Sequence, residues 1–187
     1  MMVDSKSALL LKKARQYDQN ALAEIYDLYS NALFAYAFKH VGVSQIAEDL
    51  VAETFSRFLK ALERGGGPKD HLRAYLYRIT HNLITDSYRR EPPPPLELEE
   101  ELIPDESKDP SSVVVEIQDA DRVRNALRLI TPEQSQVITL RFLEGWSGPE
   151  IAQAMDKSLG SIKALQHRGL AALQRILLEN EQPQESN

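Results

Sequence analysis

The chain has 187 residues, no cysteine, and a net charge of -6 at pH 7 from 22 Lys and Arg against 28 Asp and Glu. That length suits one large or two small domains; the missing thiols exclude a disulfide framework and a thiolate metal site, and the acidic balance argues against tight unaided binding to nucleic acid. Leu9 to Leu11 is too short for a signal peptide and no run approaches membrane-spanning length, so a cytoplasmic protein without membrane insertion is expected.

Taken in order, residues 5–16 predict a short helix with Leu9, Leu10 and Ala14 on its apolar side. Asp18 is an N-cap candidate for a second helix, in which Leu22, Ile25, Tyr26 and Tyr29 recur at helical spacing. After Ser30 the pattern predicts a further helix through Leu33, Phe34, Tyr36, Ala37 and Phe38, ended by Gly42. Ser44 is expected to cap a long helix whose inner side is Ile46, Leu50, Val51, Phe55, Phe58, Leu59 and Leu62. Its outer side gathers acid first (Glu48, Asp49, Glu53) and base later (Arg57, Lys60, Arg64). This order complements the helix dipole, and it also suits an acidic docking face for a basic partner; spacing alone admits both.

Gly65-Gly66-Gly67-Pro68 reads as a flexible loop. A helix is predicted from about 69 to 90, with Leu72, Leu76, Ile79, Leu83 and Ile84 inside. Around them lie His71, Arg73, Tyr75, Tyr77, Arg78, His81, Asn82, Tyr88, Arg89 and Arg90. Basic residues interleaved with aromatics suit a single nucleic-acid strand, and they equally suit a solvated amphipathic helix.

Residues 92–118 read as a linker. Four prolines open it, and prolines cannot continue a helix. It holds eight acidic residues against one Lys, while residues 1–91 and 119–187 are nearly neutral. As a flexible coil it spans on the order of 30 Å. Residues 119–130 predict a helix that pads the C-terminal domain through Val123, Leu127 and Ile130.

The next stretch predicts three helices. Thr131, with Pro132 and Gln134, makes a capping box for a helix reaching about Leu143. Ser147 and Glu150 make a second box for a short helix with Ile151, Ala152 and Met155 buried. Asp156-Lys157 is the turn, and Ser158 caps a longer helix. Its inner stripe is Ile162, Leu165, Gly169, Leu173 and Ile176. Its outer side presents Gly160, Lys163, Ala164, His167 and Ala171, with Ser161 and Arg168 flanking. A short helix, a tight turn and a helix with donors at its exposed start are the parts of a DNA-binding helix-turn-helix. Lys163 and Arg168 suit phosphates or guanine edges, and Ser158 and Ser161 suit the backbone. Residues 181–187 are expected to be a disordered tail.

No enzyme site emerges, so no catalytic residue, cofactor or small-molecule substrate is expected. The glycine run lacks the Lys-Ser/Thr and the preceding strand of a phosphate loop. The four histidines lack metal-ligand spacing, so no metal is expected.

Together the segments resemble the extracytoplasmic-function sigma factors of bacteria. Three motifs carry the resemblance: AEDLVAETFSRFLKAL (47–62), LRAYLYRITHNLITDSYRR (72–90), and the block from Thr131 through LRFLEGWSGPEIAQAM to SIKALQHRGLAAL (161–173). The resemblance implies an all-α protein: an N-terminal helical bundle (1–91) and a C-terminal helix-turn-helix domain (119–180), joined by the acidic proline-rich linker (92–118). It implies that Glu48, Asp49, Leu50, Glu53 and Phe55 dock on the clamp helices of the largest RNA polymerase subunit, with the polymerase flap as a second contact. Lys69, Arg78, Asn82, Tyr88, Arg89 and Arg90 would hold the melted minus-ten promoter element. Ser158, Ser161, Lys163, His167 and Arg168 would bind the minus-thirty-five element. Promoter DNA, polymerase core and a separate anti-sigma protein are the partners implied. Leu165-Gln166 and Gly169 depart from the usual pattern of the last helix, which leaves most base contact to Lys163 through His167.

Two other readings use the same residues. One is a stand-alone helix-turn-helix regulator with a sensory N-terminal half. Residues 1–91, however, lack the alternating strands and acidic cluster of a receiver domain. The other is a pure interaction protein whose helical ends bind proteins and ignore DNA sequence.

Overall fold

The computed structural model describes residues 2–90 and 110–179, with side chains described from 6 to 88 and from 120 to 178. The described residues form α-helices and a short π-helical segment, with no strand among them. The acidic stretch 91–109 and the tail 181–187 lie outside them.

Helix α1 (Met2–Ala14) buries Leu10, Leu11 and Ala14. Asp18 caps α2 (Gln19–Val41), its carboxylate accepting from the Ala21 amide at 2.9 Å. Here the structure departs from the expected break at Ser30, because α2 runs through it without interruption. No Gly or Pro interrupts this stretch, and Ile25, Tyr29, Leu33, Ala37 and Val41, each four residues apart, form one buried ridge. Gly42 ends the helix in the left-handed region (φ 76°) and donates to the Phe38 carbonyl, a glycine stop.

Helix α3 (Ser44–Glu63) starts at its expected cap, Ser44, so the actual N-cap is Val43, one residue earlier, and no side chain closes it. Ala47, Leu50, Val51, Thr54, Phe55, Phe58 and Leu62 face inward. Leu59 was expected inside but is 39% exposed; it lies about 100° round the helix from Phe58, at the margin of the stripe. Helix α4 (Leu72–Arg90) packs along α2 and α3. A buried hydroxyl pair, Thr54 and Thr80 at 3.0 Å, joins α3 to α4: one hydroxyl donates to the other, which is left to donate to a carbonyl of its own helix, Leu50 for Thr54 or Leu76 for Thr80.

Helix α5 (Pro110–Leu129) begins nine residues before the expected start at 119, inside the stretch read as linker. Pro110 is allowed in a first turn, and no further Pro or Gly follows to stop the helix. Leu127 and Ile130 are buried as expected, while Val123 is 39% exposed. Helix α6 (Pro132–Ile138) carries the Thr131–Gln134 capping box and passes into a π-helical segment (Thr139–Leu143). Helix α7 (Gly148–Met155) carries the Ser147–Glu150 box and ends at Asp156, which is left-handed (φ 53°). Helix α8 (Leu159–Glu179) follows the turn.

One apolar cluster runs from the N-terminal helices through Tyr77 and Trp146 to Ile151, Ile162 and Leu165. A second, formed by Ala126, Leu127, Ile130, Ile138 and Leu173, ties α5, α6 and α8 together. The helix-turn-helix therefore rests on α4 through α7. The fold is all-α, with an N-terminal bundle and a C-terminal helix-turn-helix.

Candidate nucleic-acid and polymerase interfaces

The turn before α8 is built locally. The Ser158 hydroxyl accepts from the Ser161 amide at 3.2 Å and meets the Ser161 hydroxyl at 2.9 Å. Beyond it, Ser161, Lys163, Ala164, His167 and Arg168 are all exposed, while Ile162, Leu165 and Gly169 are buried beneath them. All five expected contact residues, Ser158, Ser161, Lys163, His167 and Arg168, are therefore exposed at the turn and along the first half of α8. Arg168 donates from Nε to the Ala164 carbonyl at 3.3 Å, a bond that does not use its terminal nitrogens. Gly169 is required by proximity: a Cβ there would lie 2.7 Å from Ile138 Cδ1 and 3.2 Å from Gln134 Cβ. The small residue lets α8 lie close on α6.

On α3, Glu48 and Asp49 are exposed and Glu53 is half-exposed. Glu53 accepts from Arg57 at 2.9 Å, and that bond holds its carboxyl below the ordinary range. Leu50 and Phe55 lie in the core at 7% and 8% exposure. Phe55 packs against Tyr26, ring centroids 4.8 Å apart, and Tyr26 is itself half exposed. The accessible part of the expected docking set is thus the three carboxylates, and Tyr26 is the aromatic beside them. The sequence placed Tyr26 on an inner stripe; only the packing of α2 on α3 brings it to this surface.

The expected strand-binding residues are more dispersed. Arg78 and Asn82 are exposed on α4, and Lys69 is exposed in the loop before it. Arg78 lies over the Tyr75 ring at 5.5 Å. Tyr88 is engaged elsewhere: its hydroxyl donates to the His40 carbonyl at 2.6 Å, and burial raises its pKa. The side chains of Arg89 and Arg90 lie outside those described. The glycine loop has a definite shape. Gly65 and Gly67 take positive φ (71° and 81°), as only glycine does readily. From α1, Arg15 donates to the Pro68 carbonyl at 2.9 Å and the Gly66 carbonyl at 3.3 Å. Arg15 was missed at the sequence level because its partners are more than 50 residues away.

The largest departure concerns the other side of α4. Arg73, Tyr77 and His81, spaced four apart, form a ridge that suited nucleic acid on composition. That ridge meets the C-terminal domain instead. The Arg73 guanidinium stacks on Trp146 at 4.1 Å, Tyr77 packs edge-on to Trp146 at 4.9 Å, and the Tyr77 hydroxyl donates to Glu144 at 3.1 Å. Lys39 pairs with Glu144 at 2.7 Å. From α5, Arg128 donates to the Val41 carbonyl at 2.9 Å, at the open end of α2.

Comparison with known proteins agrees with this layout. The profile of Sigma-70 region 2 matches residues 25–92, and that of Sigma-70, region 4 matches residues 120–173. The ECF RNA polymerase sigma factor BldN of Streptomyces coelicolor is 34% identical over 182 residues, covering 93% of this chain and 68% of BldN. The ECF RNA polymerase sigma factor SigW of Bacillus subtilis is 24% identical over 178 residues, covering 89% of this chain and 94% of SigW. Among solved structures, CnrH in complex with the cytosolic domain of CnrY has a TM-score of 0.69 at 22% identity, covering 95% of this chain and 99% of CnrH. The sigma factor RpoE of Bartonella quintana, in complex with the anti-sigma factor NepR, has a TM-score of 0.54 at 21% identity, covering 86% and 98%. At such identities these two structures speak to the fold. With both sigma regions matched in order and a curated relative above 30% identity along most of its length, the chain belongs to the extracytoplasmic-function sigma factors of the sigma-70 family, non-catalytic factors of transcription initiation.

Proposed function

We propose that the chain divides its work between a polymerase-docking and promoter-melting unit (1–91) and an upstream-reading unit (119–180), joined by the acidic stretch 92–118. Glu48, Asp49 and Glu53 dock on basic helices of the polymerase core, with Leu50 and Phe55 shaping that face from beneath. Arg78, Asn82 and Lys69, with Arg89 and Arg90 at the end of α4, hold the melted minus-ten strand. Ser158, Ser161, Lys163, His167 and Arg168 contact the minus-thirty-five element. The observation that supports this reading best is the exposed cluster of five donors at the start of α8, lifted outward by a fully buried stripe. Donors on a helix entering the major groove contact phosphates and base edges.

The chain works where the polymerase is, in the cytoplasm, and no helix among its described residues is long and apolar enough to cross a membrane. A protein antagonist is a further expected partner: the Bartonella relative of similar fold was solved with an anti-sigma factor.

The test is the double variant D49K/E53K, assayed for holoenzyme formation with polymerase core. These substitutions remove the exposed Glu53–Arg57 pair and an exposed 3.4 Å hydrogen bond from Gln45 to Asp49; exposed pairs contribute about 1 kcal/mol or less, so helicity should be retained. The expected result is loss of core binding by at least tenfold. Wild-type core binding by a folded variant would contradict the docking assignment.

A further inference from the structure

Two histidines lie inside the contact between the halves of the molecule, and the proposed function uses neither. His81 of α4 is 4% exposed and bonded on both sides. Its Nδ1 lies 2.8 Å from the Tyr36 hydroxyl, and its Nε2 lies 3.0 Å from the Pro132 carbonyl at the start of α6. A carbonyl only accepts, so Nε2 carries the proton and donates to Pro132. Nδ1 is then free to accept from Tyr36, and one neutral tautomer satisfies both contacts. His40 of α2 is 2% exposed, and its ring meets those of Tyr36 at 4.9 Å and His81 at 5.6 Å. Its Nε2 is buried with no hydrogen-bond partner among the described residues.

The surroundings suit uncharged rings. From α2 they include Tyr36 and Lys39, and from α4 Tyr77 and Tyr88. From α5, Arg124 and Arg128 bring two more positive charges towards His40. The carboxylate at the contact, Glu144, is engaged by Lys39 and Tyr77. Glu133, beside Pro132 on α6, pairs with Lys157.

We propose that the packing of α5, α6 and α7 against α2 and α4 is a proton-sensitive latch, in which His40 and His81 hold the halves together while neutral and release them when protonated. Protonated His40 would sit among Lys39, Arg124 and Arg128. Protonated His81 would present a second N–H towards Tyr36 inside a desolvated contact. Separation wets the Nε2 edge of His81, because its partner Pro132 belongs to the half that leaves. Nineteen residues lie between α4 and α5, long enough to reach about 60 Å when extended.

The sign follows from burial. Desolvation lowers the pKa of His81 from 6.5 to about 4 and that of His40 well below its ordinary value. The packed state therefore binds fewer protons than the separated one. Packing is at full strength above pH 6.5 and weakens as pH falls below it, continuing towards pH 4. At pH 5.8, His81 alone should weaken packing about sixfold, and His40 acts in the same direction. Released, the halves expose Arg73, Tyr77 and His81 on the helix assigned to the melted strand. That consequence rests on the function proposed above; the latch itself does not.

The chain contains one tryptophan, and Trp146 sits in the contact at 2% exposure beneath Arg73. Its emission and its quenching by acrylamide report separation in the unlabelled full chain, and X-ray scattering gives the radius of gyration. Both are measured from pH 7.5 to 5.8, above the isoelectric point near 5.3. The latch predicts red-shifted emission, greater quenching and a larger radius at pH 5.8, with unchanged far-UV dichroism. H81Q keeps a donor for Pro132 but takes no proton, so it should make the transition shallower. H40F/H81Q should abolish it; Phe keeps the ring of His40, whose Nε2 makes no bond to lose. A constant radius, halves already apart at pH 7.5, loss of helicity along with opening, or a full transition in H40F/H81Q would overturn the proposal. Should the variants lose helicity, NMR titration of the wild-type histidine ring protons decides, and a His81 midpoint near 6.5 in the compact protein would count against the latch. No polymerase or DNA enters the experiment, so its failure leaves the docking and promoter assignments standing.

Discussion

Gly169 shows how one residue sets the position of the reading helix. An added Cβ would collide with Ile138 and crowd Gln134. Overpacking costs about 1–3 kcal/mol, whereas Gly to Ala in a helix returns about 1 kcal/mol. Gly169→Ala should therefore lower stability by about 1 kcal/mol, read from denaturant unfolding of the full chain; a gain would mean that Ile138 moves aside freely. Lys163 can be judged on electrostatics alone. If it meets a phosphate, Lys163→Ala should reduce the salt slope of upstream-promoter binding by about one ion, and an unchanged slope would rule out that contact. Residues with nearby partners were legible in the sequence. Thr131 with Gln134 and Ser147 with Glu150 close bonds three positions apart, and both boxes form as expected. Tyr77, His81 and Arg15 were not legible in this way, because their partners lie some 50 or more residues away. Tyr88 carries an aromatic ring that composition favours for binding, yet packing draws it inward, while Phe55 lies on the inner side that its periodicity predicts.

At the scale of elements, the apolar periodicity found most helices, and its failures have local causes. The α2 ridge crosses Ser30 because polarity alone does not end a helix. Helix α5 starts early because only Pro110 marks its beginning. The helix-turn-helix was legible in its caps, turn and exposed donors, and Ile151, Ile162, Leu165, Gly169 and Leu173 are buried as expected; Ala152, Met155 and Ile176 are only half-buried, and Ala154 is the second buried residue of α7. Its stability should depend on the Ser147 cap, whose hydroxyl accepts from the Glu150 amide while Glu150 accepts in return at 2.7 Å from the Ser147 amide. The Ser147 hydroxyl also donates to the Glu150 carboxylate at 2.6 Å, and this bond, with that from the Ser147 amide, holds the Glu150 carboxyl below its ordinary range. Ser147→Ala should cost about 1 kcal/mol, measured by thermal unfolding. The glycine loop depends on an element that was given no role. Arg15→Ala removes the guanidinium from two loop carbonyls, a loss of roughly 1.5 kcal/mol. Amide exchange across residues 65–70 should then speed up about tenfold, with α3 unaffected; unchanged exchange would mean that the glycines hold the loop alone.

At the scale of the molecule, the sequence divides the chain into two halves and the structure packs them together. The division was visible in charge, with acid concentrated between two nearly neutral ends. The packing was not, because its interface uses a ridge of α4 that composition assigned to nucleic acid. Arg128 fastens this interface by capping α2 with its guanidinium. Arg128→Ala leaves the Val41 carbonyl without that donor, and it should favour separated halves by about 1.5–3 kcal/mol. The expected readout is a larger radius of gyration at neutral pH.

The central claim is that this chain selects promoters for RNA polymerase through two separate DNA contacts. The most direct test incubates the full chain with bacterial polymerase core and genomic DNA, then maps the 5′ ends of the transcripts. The account predicts a stable complex and start sites that share one two-part upstream motif. It further predicts that Lys163→Ala weakens dependence on the upstream part and Asn82→Ala slows promoter opening more than initial binding. Stable binding to core with start sites that share no motif, or no binding to core by a folded chain, would contradict it.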